Sequence, residues 1–292
     1  MVRLDADSDA RGGADLAWSL GFLSRRAIPG MERTEGTRYQ VLIRTTAAPA
    51  VATLSPVGRR LEIHFEPGAP AGIERAWARR VLDLDRDLTP FQRHVAHDPV
   101  LGPLVRRRPG IRVPRLPDPF ETAIRAIVGQ LISVAAARTI LGRLVTRFGE
   151  PNPTQGHALT HTFPPAAALA DVSAGTIQTC GITRAKAESI ATLAGATARG
   201  ELDWATIAAL PPDEADRALR SWPGIGAWTA AYVRIRGLAD PDVSLATDLG
   251  IRHALAALGI DPAAAAKTID RWRPWRSYAM MHLWASLEPI GP

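Results

Sequence analysis

Residues 221–230 read Ser-Trp-Pro-Gly-Ile-Gly-Ala-Trp-Thr-Ala, with a helical pattern of apolar residues on each side. Two glycines around one apolar residue are typical of a tight turn that leaves its backbone N–H groups exposed. The next helix begins at once, so its unpaired N–H groups and its positive dipole end point to the same side. Such a turn suits a DNA phosphate and reads no bases. The stretch therefore predicts a helix-hairpin-helix unit that grips the DNA backbone through Pro223, Gly224, Ile225, Gly226 and Thr229.

A carboxylate follows this hairpin in the sequence. Asp248 lies 22 residues after Gly226, at the start of another helical pattern. A fixed carboxylate can stabilise the positive charge that builds on deoxyribose when its base leaves, and it can orient or deprotonate the attacking water. An aspartate before an apolar helical run is also an ordinary helix cap. The hairpin upstream is what favours catalysis at Asp248.

The composition is that of a globular protein with an anionic partner. Of the 292 residues, 46% are hydrophobic and 22% charged, enough for more than one core. The net charge of +6 and the sequence pI of about 10.3 favour nucleic-acid binding. The excess is almost all arginine, a bias that a GC-rich genome also produces; the two lysines are Lys186 and Lys267. The single cysteine, Cys180, excludes an intramolecular disulfide and four-cysteine metal sites.

Neither a membrane nor a metal is indicated. No segment reaches the ~18–20 uninterrupted apolar residues of a membrane span. The polar and acidic first 15 residues differ from a signal peptide, so we expect a cytoplasmic protein. His157 and His161 lie four apart, but in a loop rich in proline and glycine without supporting cysteines or carboxylates. We therefore expect no metal held by side chains.

The patterning predicts a multidomain α+β protein. Residues 1–15 are expected to be disordered, and residues 16–116 to form an N-terminal α+β domain with its linker. Within 38–66, apolar and β-branched residues alternate between turn signals, which predicts strands. Residues 117–292 are predicted to be all helical, beginning at the strong helix start Asp118-Pro119-Phe120-Glu121. Residues 129–133, Gly-Gln-Leu-Ile-Ser, are either the middle of a helix or a break before a helix capped by Ser133.

From about Leu16 to Leu287 the chain resembles the bacterial 3-methyladenine DNA glycosylase II type (AlkA type) of the helix-hairpin-helix glycosylase superfamily. The segments that carry the resemblance are residues 18–23 (WSLGFL), 125–134 (RAIVGQLISV), 223–230 (PGIGAWTA), 242–248 (DVSLATD) and 272–279 (WRPWRSYA). The resemblance implies a curved antiparallel sheet with helices, then a two-lobed helical domain with lobes of about 117–235 and 236–292. It implies an active site in the cleft between the lobes.

The same resemblance assigns roles to individual residues. Asp248 falls on the catalytic aspartate. Trp228, Tyr232 and Trp284 fall on aromatic positions of the base pocket, and Phe22 and Arg26 on positions that the N-terminal domain adds to it. An electron-rich ring face attracts a cationic alkylated base, although aromatic residues on helices are more often part of a core.

Leu131 and the hairpin complete the set. Leu131 matches the residue that the family pushes into the duplex when the target nucleotide leaves the stack; in a continuous helix it would instead belong to the core. In this superfamily backbone carbonyls near the hairpin often hold a monovalent cation, and no other cofactor is implied. Arg106, Arg107 and Arg108 form the densest basic run, either a solvated linker or a DNA contact.

One residue of the hairpin helix indicates whether the expected glycosylase also cuts the DNA strand. Superfamily members that also cut the strand carry a lysine that forms a Schiff base with the sugar, and here Trp228 occupies the corresponding position. The sequence therefore predicts a monofunctional glycosylase for alkylated bases, 3-methyladenine and related methylated purines, in double-stranded DNA. We expect a bacterial, nucleoid-associated monomer. The alternatives are an oxidised-base glycosylase of the same superfamily and a non-catalytic protein that binds damaged DNA.

Overall fold

The structure is a computed structural model that describes residues 2–6, 8–46, 48–68, 71–154 and 156–288. The ends of the predicted domains at residues 1 and 289–292 lie outside this range. No described helix has the length and apolar character needed to cross a membrane.

A five-stranded antiparallel sheet forms the N-terminal part, where the alternation of apolar residues predicted strands. The strand order is β1-β5-β4-β3-β2. On β5 the side chains of Leu61, Ile63 and Phe65 are fully buried, and the residues between them are not. This period of two places one face of the sheet on the core. The strands are β1 (Val2–Asp5), β2 (Glu32–Glu35), β3 (Arg38–Ile43), β4 (Ala50–Val57) and β5 (Arg60–Glu66).

The expectation that residues 1–15 are disordered is wrong for the described residues of that range. Val2 and Leu4 are buried, and their strand pairs with β5. The Arg112 guanidinium, also buried, donates to the carbonyl oxygens of Arg11 at 2.8 Å and Gly13 at 2.9 Å. The segment is polar in composition, but its few apolar residues alternate and meet a partner strand about 60 residues away. Composition alone does not reveal such a partner.

Fifteen α-helices lie in the described residues, with a short 3-10 helix at Pro262–Ala264. In chain order they are α1 (Leu16–Arg25), α2 (Ala71–Val81), α3 (Thr89–Val95), α4 (Leu101–Arg107), α5 (Pro119–Gly129), α6 (Val134–Phe148), α7 (Ala166–Leu169), α8 (Ala174–Gln178), α9 (Arg184–Ala198), α10 (Trp204–Ala209), α11 (Pro212–Arg220), α12 (Ala227–Arg236), α13 (Leu249–Ala257), α14 (Ala265–Asp270) and α15 (Arg276–Ser286).

Two large hydrophobic cores organise these elements. The first joins the sheet to α5, α6, α9 and the hairpin helices. The second joins α13–α15 to α3 and α4, and it includes Trp18 and Phe22 of α1. The predicted boundary at residue 116 therefore falls between segments that share a core, because α3 and α4 pack with the C-terminal helices. Since α1 contributes to both cores, its residues lie where the two lobes meet.

Candidate active site and DNA-binding surface

Asp248 is the N-cap of α13, and its carboxylate is held by three N–H groups. Oδ1 accepts from the backbone N–H of Ile251 at 2.9 Å and from Trp284 Nε1 at 3.0 Å. Oδ2 accepts from Trp228 Nε1 at 2.9 Å. Because these donors come from α12, α13 and α15, three helices fix the position of one carboxylate. Helix-capping and catalysis, the two interpretations that the sequence offered for Asp248, are compatible in this geometry.

Gly250 allows this close arrangement. A Cβ at Gly250 would lie 3.1 Å from Asp248 Oδ1 and 3.2 Å from Trp284 Nε1, tighter than most contacts of a real side chain. A glycine within the first turn of a helix lowers helix stability, so its presence in that turn was a signal of close approach. The sequence analysis did not use it.

Aromatic rings extend from the carboxylate, and the structure brings together the residues that the resemblance assigned to the pocket. Trp228 stacks on Tyr232 with centroids 5.3 Å apart and an interplanar angle of 24°. Trp284 lies 6.1 Å from Phe22 at 33°. Trp228, Tyr232 and Trp284 are half-buried, so their rings retain some accessible surface beside Asp248. They form an aromatic wall with a single carboxylate set into it.

Phe22 is placed differently from the other three rings. It is completely buried, and the Arg26 guanidinium carbon lies 3.7 Å from its ring centroid. Arg26 therefore covers the ring face that a cationic base would need. Burial, reinforced by the nearby charge of Arg236 and opposed by Tyr232, lowers the pKa of Arg26 to about 10. Phe22 thus packs between Trp284 and the Arg26 guanidinium.

Arg236 is a member of this cluster that the sequence analysis missed. Its Nη1 donates to the Tyr232 hydroxyl at 2.7 Å, and its Nε donates to the Pro114 carbonyl oxygen at 2.7 Å. Burial alone would raise the pKa of Tyr232, but the charges of Arg236 and Arg26 outweigh burial and lower it. The spacing i, i+4 from Tyr232 on α12 was the available signal. Arg236 fixes the hydroxyl end of the Tyr232 ring.

The hairpin between α11 and α12 has the predicted turn. Gly224 has a φ of +78°, and a Cβ there would lie 2.5 Å from Ser189 Oγ, so both backbone conformation and space require glycine. Pro223, Gly224 and Gly226 are exposed, and Gly226 is the N-cap of α12. The hairpin therefore presents backbone to solvent at a helix N-terminus, the arrangement that suits a phosphate.

Ile225 and Thr229, also predicted at the DNA contact, have side chains that face the protein. Ile225 is 3% and Thr229 1% exposed. The Thr229 hydroxyl accepts from Gln130 Nε2 at 2.8 Å. These two residues anchor the hairpin, while any contact with DNA falls to the backbone.

The helical pattern at residues 129–133 is interrupted, which decides between the two alternatives for this stretch. α5 ends at Gly129, and Ser133 caps α6 by accepting from the N–H of Ala136 at 3.2 Å. Leu131 lies between the helices with a φ of +59° and a side chain that is wholly exposed, at 104% of the reference area. We call residues 129–133 the wedge loop. Leu131 is not a core residue.

Comparison with known proteins agrees with this architecture. Residues 9–118 match the AlkA N-terminal domain, and residues 124–275 match the HhH-GPD superfamily base excision DNA repair proteins. The chain belongs to the HhH-GPD superfamily. Within it, the chain is 34% identical over 274 residues to DNA-3-methyladenine glycosylase 2 of Escherichia coli, covering 92% of this chain and 93% of that protein.

Other relatives of this HhH-GPD protein extend the comparison. It is 35% identical over 278 residues to the "Probable bifunctional transcriptional activator/DNA repair enzyme AlkA" of Mycobacterium tuberculosis. This match covers 92% of the chain but only 54% of the relative, so the chain spans about half of that protein's length. The solved structure of a 3-methyladenine DNA glycosylase from Archaeoglobus fulgidus has the same fold, with a TM-score of 0.81 at 23% identity and 97% coverage of both chains.

Neither lysine of this HhH-GPD domain occupies the position of Trp228. Lys267 is exposed on α14. Lys186, on α9, donates through Nζ to the carbonyl oxygens of Val128 at 3.0 Å and Gln130 at 2.7 Å. Lys186 thus contacts the wedge loop. No local sequence signal links it to residues 56 and 58 positions away.

The arginine run at the C-terminal end of α4 is bound to the protein at two of its three members. Arg106 donates to the Ala96 carbonyl oxygen at 2.9 Å, and Arg108 pairs with Asp15 at 2.9 Å. The contacts favour a structural role for this run over DNA binding. Within the described part of the chain, His, Cys, Asp and Glu side chains form no cluster of three or more suited to a metal.

Proposed function

We propose that the protein is a monofunctional DNA glycosylase that removes alkylated bases, 3-methyladenine and related methylated purines, from double-stranded DNA. The observation that carries the proposal is the Asp248 carboxylate, which two tryptophan N–H groups hold within an aromatic wall beside a DNA-binding hairpin. The similarity to DNA-3-methyladenine glycosylase 2 along nearly the whole chain supports the same substrate class.

The chemistry matches the parts of the site. Alkylation of a ring nitrogen gives the purine a positive charge, so the base leaves with the electron pair of the C1′–N bond and becomes neutral. The sugar then carries oxocarbenium-like charge, which the fixed Asp248 carboxylate stabilises. Water adds to C1′ and loses a proton, for which the same carboxylate is the nearest acceptor. The faces of Trp228 and Trp284 stack on the departing base.

Access to the base requires that the nucleotide leaves the helix. Extrusion costs about a few kcal/mol in stacking and pairing. The exposed Leu131 fills the vacated space and offsets part of that free energy. The hairpin backbone meanwhile fixes the strand by a phosphate, without reading sequence.

The product is an intact strand with an abasic site. A Schiff base needs an amine at the sugar, and an indole at Trp228 supplies none. A monovalent cation at the hairpin fits the turn, since its ligands would be backbone carbonyls. The Gly224 carbonyl accepts one hydrogen bond, from Gln130 at 2.9 Å, and a carbonyl oxygen has two lone pairs.

The deciding experiment incubates the purified protein with methylated duplex DNA and identifies the released bases. The wild type should release 3-methyladenine and leave strands intact until alkali treatment. Asp248→Asn should reduce release by at least about a hundredfold, since a fixed charge at the transition state is lost, while affinity for abasic duplex is retained.

Three other results would change the assignment. Borohydride trapping of the protein on damaged DNA would indicate a lyase. Release that is indifferent to Asp248→Asn would remove the aspartate from the chemistry. Binding to damaged duplex without release of any methylated purine would leave the hairpin as a DNA grip and indicate a damage-binding protein.

A further inference from the structure

We infer that Lys186 and Gln130 are positioning residues that join the wedge loop to the hairpin, so that gripping a phosphate and inserting Leu131 occur as one rigid unit. This inference rests on the proposed function, because it gives Leu131 the role of a wedge. It concerns two residues that touch neither the base nor the sugar in that scheme.

The wedge loop is poorly held by its own backbone. Leu131 occupies the left-handed region, which is unfavourable for a residue with a Cβ. The backbone hydrogen bonds on either side of it are long: Gln130 N to Ile127 O is 3.3 Å, and Ile132 N to Gly129 O is 3.4 Å. A strained conformation persists only where the surroundings determine it. The loop therefore depends on contacts from other elements.

Lys186 supplies one such contact. Its ammonium group donates to the last carbonyl oxygens of α5 and its C-cap, those of Val128 and Gln130. The C-terminal end of a helix is where the dipole favours a cation. The Gln130 carbonyl belongs to the peptide group that precedes Leu131, so this bond fixes the plane on which the left-handed turn begins. Partial burial lowers the pKa of Lys186, in agreement with a group drawn into the protein.

Gln130 supplies the second contact. Its side-chain amide donates to the Gly224 carbonyl oxygen at 2.9 Å and to Thr229 Oγ1 at 2.8 Å. Gly224 is in the exposed turn of the hairpin, and Thr229 is in the first turn of α12. Both protons of one amide therefore tie the residue before Leu131 to the phosphate-binding turn.

Helix α9 lies against both the wedge loop and the hairpin turn. This helix carries Lys186, which holds the wedge loop, and Ser189, against which the hairpin turn packs at Gly224. A displacement of the hairpin by a bound phosphate is thus transmitted to the wedge loop through short, directional bonds. Lys186 and Ser189 are three residues apart, so they lie on the same face of α9.

The test uses Lys186→Met, which keeps chain length and removes the charge, with Lys186→Arg as the rescue. Lys267→Met, at the other and exposed lysine, is the matched control for loss of one positive charge. Single-turnover excision is measured on methylated duplex and on the same strand unpaired. Lys186→Met should slow excision from the duplex about tenfold, as expected for loss of charge-assisted hydrogen bonds. Excision from the unpaired strand, Lys186→Arg and Lys267→Met should stay within about twofold of wild type.

A double-mutant cycle with Leu131→Ala decides whether Lys186 acts through the wedge. In the Leu131→Ala background, Lys186→Met should have less than about a twofold further effect on the duplex, because the group it positions is gone. Gln130→Met should show the same non-additivity. Independent, multiplying losses would overturn the inference.

Two further results would also overturn it. Equal losses on paired and unpaired DNA would give Lys186 a merely structural role. The slope of the logarithm of the binding constant against the logarithm of the salt concentration measures the number of phosphate contacts. A decrease of about one in the magnitude of this slope for Lys186→Met would make Lys186 a phosphate contact instead. Fluorescence of 2-aminopurine at the target position reports extrusion without excision, so the cycle can be read even if the wild type releases no methylated purine. The absence of release would reject the proposed function, but the fluorescence cycle would still show whether Lys186 acts through Leu131.

Discussion

The wall that carries Asp248 and the loop that carries Leu131 are built in opposite ways. The Asp248 carboxylate accepts three N–H donors, and two of these are side chains of the aromatic wall. The Leu131 side chain is fully exposed, on a left-handed backbone. One region is fixed by bonds to the functional group itself, and the other by bonds to the peptides beside it.

The difference fits the role proposed for each group. A carboxylate that stabilises developing charge is most effective when it is already oriented, because no reorganisation is then needed as the bond breaks. An apolar wedge has no polar atom by which it can be held, so only the neighbouring backbone can be restrained. Lys186 and Gln130 supply that restraint through main-chain carbonyl oxygens. Pre-organisation is thus direct at the carboxylate and indirect at the wedge.

The largest effect at the aromatic wall is expected when the N–H donors to Asp248 are removed and the aromatic rings are kept. Trp228→Phe and Trp284→Phe each delete one N–H bond to Asp248. Each should slow single-turnover excision about tenfold, as for loss of a hydrogen bond to a charged group, and the double variant by about a hundredfold. Trp77→Phe, at a half-buried tryptophan on α2 that packs on Phe65, is the control and should have no effect.

Base stacking and carboxylate orientation make different demands on these variants. If the rings matter only as surfaces for the base, the phenylalanine variants will keep most of the wild-type rate. A loss confined to binding of damaged duplex, with an unchanged chemical step, would contradict the orienting role of the two N–H groups.

The sequence predicted more of the wall that carries Asp248 than of the wedge loop that carries Leu131. The hairpin pattern and the family resemblance singled out Asp248, Trp228, Tyr232 and Trp284, which the structure brings together. Trp228 and Asp248 lie in short segments that carry the resemblance. The break before Ser133 stayed undecided, since the apolar period continues through residues 129–133. A left-handed Leu131 has no sequence signal, as glycine would be the usual residue at such a position.

Several of the features that were missed are made by contacts distant in sequence. Arg236 reaches Pro114, Lys186 reaches Gln130, and β1 pairs with residues 60–63. The contact of Arg26 with the face of Phe22 is local, at a spacing of four residues, but many such pairs in a sequence make no contact. Periodicity reports which face of an element is apolar, but the pairing of a polar side chain is decided by the assembled fold.

A change in the wedge loop should slow excision by an amount that depends on whether the DNA is paired. Leu131→Ala removes the side chain that fills the vacated stack, so excision from paired DNA should fall about tenfold, while excision from the unpaired strand should change little. Because the side chain is exposed, the melting temperature of the protein should stay unchanged. Equal losses on the two substrates would remove the wedge assignment.

The smallest effect on excision is expected at His282, which lies two residues before Trp284 on α15. His282 is 1% exposed and packs on Phe91 with ring centroids 5.6 Å apart. Burial, with a smaller contribution from the charge of Arg108, lowers its pKa from 6.5 to about 3. The unfolded chain therefore binds a proton between these values and the folded chain does not, so this group removes stability as the pH falls below about 6.5.

His282→Phe should relieve that dependence without disturbing the aromatic packing. Between about pH 6.5 and 3 the wild type should lose stability relative to the variant by up to about 1.4 kcal/mol per pH unit. Urea unfolding at a series of pH values measures this difference, and His253→Gln, at an exposed histidine on α13, controls for loss of a histidine. Parallel pH profiles for wild type and His282→Phe would mean that the buried ring is protonated as readily as a free one. That result would contradict a pKa of His282 lowered by burial.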